Sequence, residues 1–144
     1  MSLKNLIYNL NKSIKVNTNL KLFSKSFSKL FYNYKNNDWL EYAINKPTNY
    51  DKNIVYKNDI YELILISWDK NSCSNFHYHP LNGCIMKVLS GELVEYKIID
   101  NFNIQKKILL KGDLNILNGE DFHKIHALDI SHSLHLYSPP NFYK

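Results

Sequence analysis

The sequence predicts a mainly β protein in which N-terminal α-helices precede a β-barrel. Apolar residues recur at helical spacing within residues 1–47, whereas residues 50–140 contain short runs of β-branched and aromatic residues separated by turns. Many short strands at close spacing are typical of an all-β barrel or sandwich. The length of 144 residues fits one domain, which we assign to residues 1–144.

Two apolar stripes predict the N-terminal helices. They consist of Leu3, Leu6, Ile7 and Leu10, and of Leu20, Phe23, Phe27, Leu30, Phe31 and Tyr34. Side chains three and four residues apart share one face of a helix, so both stripes are expected to pack on the core. Asn37 and Asp38 offer an N-cap for a third short helix, which Pro47 is expected to end.

The strands are predicted from short runs of β-forming residues. These runs cover residues 60–68, 84–89, 93–99, 104–110, 114–117, 122–128 and 132–137. The turn Ser90-Gly91-Glu92 is expected to join the second and third runs as a hairpin.

The composition argues against several classes of function. The net charge is +5, but the eighteen basic residues are all lysine and are scattered along the chain, so we expect no nucleic-acid partner. There is no apolar run long enough to span a membrane, and the first residues lack the unbroken apolar stretch of a secretory signal. Two cysteines are too few for a disulfide framework. We therefore expect a cytoplasmic protein with free thiols, a monomer or weak dimer.

The histidines indicate a metal site. His77 and His79 are two residues apart, and residues i and i+2 of a strand face the same way, so both imidazoles could bind one ion. A third ligand is expected from a later strand, where His123 and His126 would lie on opposite faces. Residues 118–123 resemble a cupin motif in which a glycine turn precedes the ligand histidine, and this resemblance favours His123, with His126 as the alternative.

The spacing around these histidines resembles the two motifs of the cupins. His77 and His79 are followed by Cys84, at the position of the usual glutamate ligand, and then by the turn glycine Gly91. A site of two histidines and one carboxylate needs its acid at that position, so we expect three neutral histidines instead. The predicted fold is accordingly a cupin-like β-barrel preceded by N-terminal α-helices.

The last predicted strand carries an alternating polar face. Ser133, His135 and Tyr137 lie on one side of it. If that side faces the core, the three groups must hydrogen-bond to one another, because burying unpaired polar groups is costly. The alternative is a polar outer face, with Leu134 and Leu136 buried.

Three segments together resemble the cysteine dioxygenase type I family. They are His77-Tyr78-His79 with the following Cys84-Ile85-Met86-Lys87-Val88-Leu89-Ser90-Gly91, the segment Ser133-Leu134-His135-Leu136-Tyr137-Ser138-Pro139-Pro140, and Tyr50-Asp51-Lys52-Asn53-Ile54-Val55, which is similar to the family's substrate-binding loop. The resemblance implies a non-haem iron enzyme that adds both atoms of O2 to the sulfur of cysteine, giving cysteine sulfinate. Its partners would be a small thiol and O2.

The resemblance also implies the metal ligands and a covalent bond. The family's Fe(II) ligands correspond to His77, His79 and His123. Its pair of thioether-linked residues corresponds to Cys84 and Tyr137.

The remaining roles that the resemblance implies concern the substrate. Tyr137 would place its hydroxyl at the substrate, and His135 and Ser133 would orient it. Lys52 and Tyr50 would bind the substrate, with Lys52 standing where the family carries an arginine. Lysine offers a point charge in place of a planar fork. Codon bias can explain lysine in place of arginine, because the chain contains no arginine at all. A changed thiol preference is an equally good explanation.

Two alternatives to a cysteine dioxygenase follow. One is a dioxygenase for another thiol, such as cysteamine or 3-mercaptopropionate, and the other is a non-catalytic metal-binding cupin. The family usually continues with further strands after the double proline that Pro140 completes here, so we also expect an exposed sheet edge.

Overall fold

Two α-helices and a short 3-10 helix precede eight strands in the computed structural model, which describes residues 1–16 and 23–141. The helices are α1 (Leu3–Val16), α2 (Phe23–Asn33) and the 3-10 helix Asp38–Tyr42. The strands are β1 (Tyr50–Lys57), β2 (Glu62–Trp68), β3 (Gly83–Ser90), β4 (Glu92–Asp100), β5 (Asn103–Leu110), β6 (Leu114–Leu117), β7 (His123–Ala127) and β8 (Ser131–Ser138). The mainly β class is confirmed, and Leu20 of the second predicted stripe lies outside the described residues. None of the described helices is long and apolar enough to cross a membrane.

The strands form two sheets that are not closed into a barrel. One sheet has the order β1-β2-β8-β3-β6, the other the order β5-β4-β7, and all their pairings are antiparallel. Closure would require the edges of the larger sheet to pair with the smaller one, and one of these edges, β6, is only four residues long. The predicted cupin-like β-barrel is therefore corrected in one respect: its sheets do not close, and the architecture is a pair of facing sheets.

The three central strands of the larger sheet, β2, β8 and β3, are buried on both faces. Leu63, Leu65, Leu134 and Leu136 pack with α1 and α2 in one apolar cluster. The residues between them face the smaller sheet, where Ile64, Ile66 and Tyr137 join a second apolar cluster. This arrangement explains the nearly continuous apolar runs of β2 and β3, because a strand covered on both sides needs no polar face.

The third predicted helix differs from expectation in type and in cap. It is a 3-10 helix, and the Asn37 side chain makes no capping hydrogen bond. The Asp38 carboxylate instead accepts hydrogen bonds from the Leu3 backbone N–H, at 2.8 Å, and from the Tyr34 hydroxyl, at 2.5 Å. Asp38 therefore holds the start of α1 against the end of α2 and does not cap its own helix.

A buried lysine attaches α2 to the sheet. The Lys87 side chain, on β3, is only 4% exposed. Its ammonium donates hydrogen bonds to the carbonyl oxygens of Phe31, at 2.8 Å, Tyr32, at 3.2 Å, and Tyr34. The last carbonyls of a helix have no partner within the helix, so a cation placed there satisfies them and complements the helix dipole.

Candidate metal centre

Three histidines converge between the two sheets. The ligand atoms of His77, His79 and His123 all lie within 4.8 Å of one another. The His123 Nε2 is 2.9 Å from the Nε2 of His79 and 3.2 Å from the Nε2 of His77. Antiparallel pairing places His77 opposite His123, and the two-residue spacing turns His79 the same way as His77.

The hydrogen bonds on the far side of each ring fix how the rings are protonated. The Nδ1 of His77 lies 2.8 Å from the Asn75 carbonyl oxygen, and the Nδ1 of His79 lies 2.9 Å from that of Asp121. The Nδ1 of His123 lies 2.6 Å from a carboxylate oxygen of Glu95. Since each partner can only accept, each Nδ1 carries a proton, and the neutral form of each ring has its lone pair on the Nε2 that faces the common centre.

Burial keeps two of these rings neutral. It lowers the pKa of His77 to about 4 and that of His79 to about 3. A neutral imidazole with a free lone pair is the form that binds metals. The Nε2 of His123 lies about 3 Å from each of the other two Nε2 atoms, and lone pairs this close repel one another unless a cation lies between them. The donor set therefore fits a divalent transition metal, and three nitrogen ligands leave coordination positions for other groups.

Glu95 is the part of this centre that the sequence analysis missed. It is 3% exposed and lies on β4 opposite Ile125 of β7. Its Oε2 accepts hydrogen bonds from the Nδ1 of His123 and from the Asn115 side-chain amide, both at 2.6 Å. Burial raises the pKa of a carboxyl group, but these two hydrogen bonds outweigh it and hold the pKa of Glu95 below its usual value. The signal was an acidic residue within the apolar run Leu93–Ile99.

Of the two histidines of β7, the structure places His123 in the histidine cluster and His126 outside it. His123, His126 and the residues between them alternate along the strand, and His123 is buried while His126 is half-buried. His126 forms an isolated bridge with Cys73 and is not part of the histidine cluster. His123 is therefore the histidine of β7 that lies next to His77 and His79.

The polar residues of β8 face the centre and form a hydrogen-bonded chain. The Trp68 indole donates to the Ser133 Oγ at 2.9 Å, and that Oγ lies 2.7 Å from the Nε2 of His135. The His135 Nδ1 lies 3.0 Å from the Tyr137 hydroxyl. The predicted inner polar face is thus present, and Leu134 and Leu136 are buried as well, on the other side of the same strand.

The direction of this chain follows from its first member. Trp68 can only donate, so the Ser133 oxygen accepts from it. Among the described residues, the Ser133 hydroxyl then has one acceptor for its own proton, the Nε2 of His135. The Nδ1 of His135 consequently bears the ring proton and donates to Tyr137, whose hydroxyl proton points elsewhere. Burial lowers the pKa of His135 well below its usual value, so the ring stays neutral.

Cys84 lies beside Tyr137. The two residues are direct partners across the β3–β8 pairing, and their side chains hydrogen-bond. Burial raises the pKa of the Cys84 thiol, so it remains protonated. Cross-strand partners have Cβ atoms about 4.5–5.5 Å apart, which is a short reach for a thiol and a phenol ring.

A cavity of about 200 Å³ opens onto the histidines. Its lining includes Tyr50 and Lys52, whose expected loop is in fact the edge strand β1. Pairing of Tyr50 with Trp68 and of Lys52 with Ile66 turns both side chains towards the cavity. Lys52 is exposed at its mouth, where desolvation lowers the pKa of the ammonium and the Glu62 carboxylate opposes that shift.

Two facing antiparallel sheets around a histidine cluster form a cupin-type fold with a candidate metal centre. An RmlC-like cupin from Shewanella frigidimarina has the same fold, with a TM-score of 0.56 and 18% identity over 65% of this chain and 79% of that chain. A protein with a double-stranded β-helix domain from Klebsiella pneumoniae gives a TM-score of 0.60 and 17% identity, over 74% of this chain and 91% of that chain.

The chain belongs to the cysteine dioxygenase type I family, whose model matches residues 22–143. Cysteine dioxygenase type 1 of Danio rerio is 28% identical over 127 residues, which cover 77% of this chain and 63% of the relative. That of Bos taurus is 30% identical over 117 residues, covering 72% and 58%. The chain thus spans about three fifths of the length of these relatives. Family and donor set are together consistent with iron.

Proposed function

We propose that the chain is a non-haem Fe(II) thiol dioxygenase that converts L-cysteine to cysteine sulfinate. The observation that carries the proposal is the convergence of the Nε2 atoms of His77, His79 and His123 at a cavity that also holds Tyr137 and Lys52. Fe(II) held by the three imidazoles would supply the O2 chemistry and favour the thiolate form of the substrate.

The reaction balances without another reductant. The substrate sulfur loses four electrons, O2 gains four, and both oxygen atoms end in the sulfinate. The chain's contribution is to bind the thiol, hold it in one orientation and keep charge in place. Three neutral histidines leave the metal's charge unreduced within its ligand set, which suits an anionic sulfur.

Lys52 is proposed to bind the substrate carboxylate. Its ammonium is the one lysine cation lining the cavity among the described residues, and the other lining side chains are mostly apolar or aromatic. The rings of Tyr50 and Trp68, which also line the cavity, contact each other at a tilt with centroids 4.9 Å apart. A cavity of about 200 Å³ has room for a small amino acid.

Tyr137 is proposed to act at the substrate. Its ring is held by β8, its oxygen accepts from His135, and its own proton is directed away from that histidine. The chain from Trp68 through Ser133 fixes this polarity. Such support keeps the hydroxyl within the narrow tolerance that positioned proton donors require.

The test is O2 consumption by the Fe(II)-loaded protein with cysteine, cysteamine and 3-mercaptopropionate in parallel, with products identified by mass. We expect cysteine sulfinate, with one O2 consumed per thiol. Lys52→Ala should raise KM for cysteine and leave cysteamine, which has no carboxylate, unaffected. Lys52→Arg should lower KM for cysteine, because a planar fork binds a carboxylate through two hydrogen bonds. Bound iron without O2 uptake for any thiol would favour a non-catalytic metal-binding cupin.

A different small thiol is the second candidate, and the position of Lys52 is the observation that favours it. The ammonium is exposed at the cavity mouth and lies in the field of Glu62. A lysine ammonium at the open mouth of the cavity fixes the orientation of a bound carboxylate less tightly than the planar guanidinium of an arginine would. Activity on cysteamine or 3-mercaptopropionate alone would retain the metal centre and change the substrate.

A further inference from the structure

An aromatic stack lies behind the metal centre, on the outer face of the smaller sheet. The rings of Tyr78 and Phe122 are stacked within 20°, with centroids 4.5 Å apart. Phe76 lies 5.5 Å from Phe122, and the Lys124 ammonium lies 5.3 Å from the centre of the Phe76 ring. We call Phe76, Tyr78 and Phe122 with Lys124 the outer stack.

The outer stack joins the two stretches of backbone that carry the histidines. Tyr78 is the residue between the first two histidines of the cluster. Phe122 is the residue between the third histidine and Asp121, whose carbonyl accepts from the ring of the second. Because successive side chains of extended backbone point to opposite sides, the histidines face the cavity and these aromatic rings face outward.

Among the described residues, the backbone hydrogen bonds that attach the first stretch to β7 end at His77. Residues 72–79 form no strand of their own and meet β7 through two isolated bridges, Cys73 with His126 and His77 with His123. The second bridge consists of N–H···O contacts of 2.9 Å and 3.2 Å. His79 lies beyond it, so its distance from the other rings depends on side-chain contacts.

We propose that the outer stack is a positioning device for the metal centre. Stacking of Tyr78 on Phe122 holds the two ligand-bearing stretches at the separation that three nitrogen ligands need, and thereby raises metal affinity. The inference rests on the proposed metal-binding function. Burial does not explain Tyr78, because its side chain is 56% exposed and removes little apolar area from water.

The experiment measures Fe(II) affinity under anaerobic conditions by competition with a chromophoric chelator. Tyr78→Ala should raise the dissociation constant about 2- to 10-fold, the range that an aromatic pair contributes. Tyr78→Phe keeps the stacked ring and should restore the parent value. Tyr8→Ala removes an aromatic ring that is 64% exposed on α1 and serves as the matched control, with no change expected.

A double variant tests whether the two rings act together. If the stack is the device, Tyr78→Ala combined with Phe122→Ala should weaken Fe(II) binding no more than the larger single effect, because contacting residues are not additive. Thermal unfolding of the metal-free proteins shows whether each variant folds. We expect the Tyr78→Ala midpoint to stay at the parent value, which separates positioning from general stability.

Three results would overturn the inference. The first is parent-like Fe(II) affinity in Tyr78→Ala, and the second is additive loss in the double variant. The third is failure of Tyr78→Phe to restore affinity. A parent protein that binds no Fe(II) would overturn the proposed metal centre itself, and that result is visible in the parent alone.

Discussion

Replacing Glu95 by glutamine tests whether a buried carboxylate supports the histidine cluster. The Oε2 of Glu95 accepts from both His123 and Asn115 at 2.6 Å, and the side chain is 3% exposed. Glutamine has nearly the same shape, and its oxygen can accept both hydrogen bonds. Glu95→Gln therefore removes the negative charge and leaves the packing in place.

The size of the effect follows from the kind of hydrogen bond. A hydrogen bond to an ionised group contributes about 1.5–3 kcal/mol, compared with about 0.5–1.5 kcal/mol for a neutral pair. The difference of about 1–1.5 kcal/mol corresponds to roughly a tenfold change in a binding constant. We expect Glu95→Gln to weaken Fe(II) binding about tenfold, within the range of about 10- to 100-fold seen for groups that orient metal ligands.

The assay is anaerobic Fe(II) titration against a competing chelator, with Glu92→Gln as the matched control. Glu92 carries the same charge on the same strand but lies outside the centre. Its replacement should leave the dissociation constant unchanged. Parent-like affinity in Glu95→Gln would refute the reasoning, because the carboxylate would then contribute neither charge nor orientation to His123.

Three further results are expected. Cys84 and Tyr137 are adjacent across the β3–β8 pairing, so we expect a thioether bond between them in protein that has turned over. Intact mass should then show a species two hydrogens lighter, which Tyr137→Phe should abolish. A single unmodified mass after repeated turnover would contradict this prediction. Lys87→Met should lower the free energy of unfolding in urea by about 1–3 kcal/mol, because buried carbonyls lose their donor. The free energy of unfolding of the metal-free protein should decrease as pH falls from about 6.5 towards 4. The pKa of His77 and that of His79 are lowered in the folded protein, so both rings take up protons when the protein unfolds, and low pH favours the unfolded state. A melting temperature that stays constant over that window would argue against buried neutral rings.

The sequence was most informative where local geometry alone decides the outcome. The two-residue spacing of His77 and His79 was enough to predict that both rings share one side, and the resemblance of residues 118–123 to a cupin motif favoured His123, which lies in the same cluster. The alternation of Ser133, His135 and Tyr137 left an inner hydrogen-bonded face and a polar outer face both open, and the chain starting at Trp68 shows the inner one.

Features that depend on distant parts of the chain were not predictable in the same way. Glu95 acts through His123, 28 residues away, and nothing in its own strand shows that partner. The choice between a closed barrel and two facing sheets depends on the edges, which no local pattern records. Tyr50 and Lys52 were expected in a loop because their run resembles the family's substrate-binding loop, whereas the structure places them on the edge strand β1.

Strand β8 belongs to two structures at once. Its odd-numbered residues form the hydrogen-bonded chain beside the histidines, and its even-numbered residues pack against the helices. A slip of one residue would place leucines in the hydrogen-bonded chain and an imidazole against the helices, so a shifted register would bury polar groups without partners on both faces of the strand. Packing of Leu134 and Leu136 against the helices therefore fixes the register of β8, and this register places Tyr137 opposite Cys84 on the other face of the sheet.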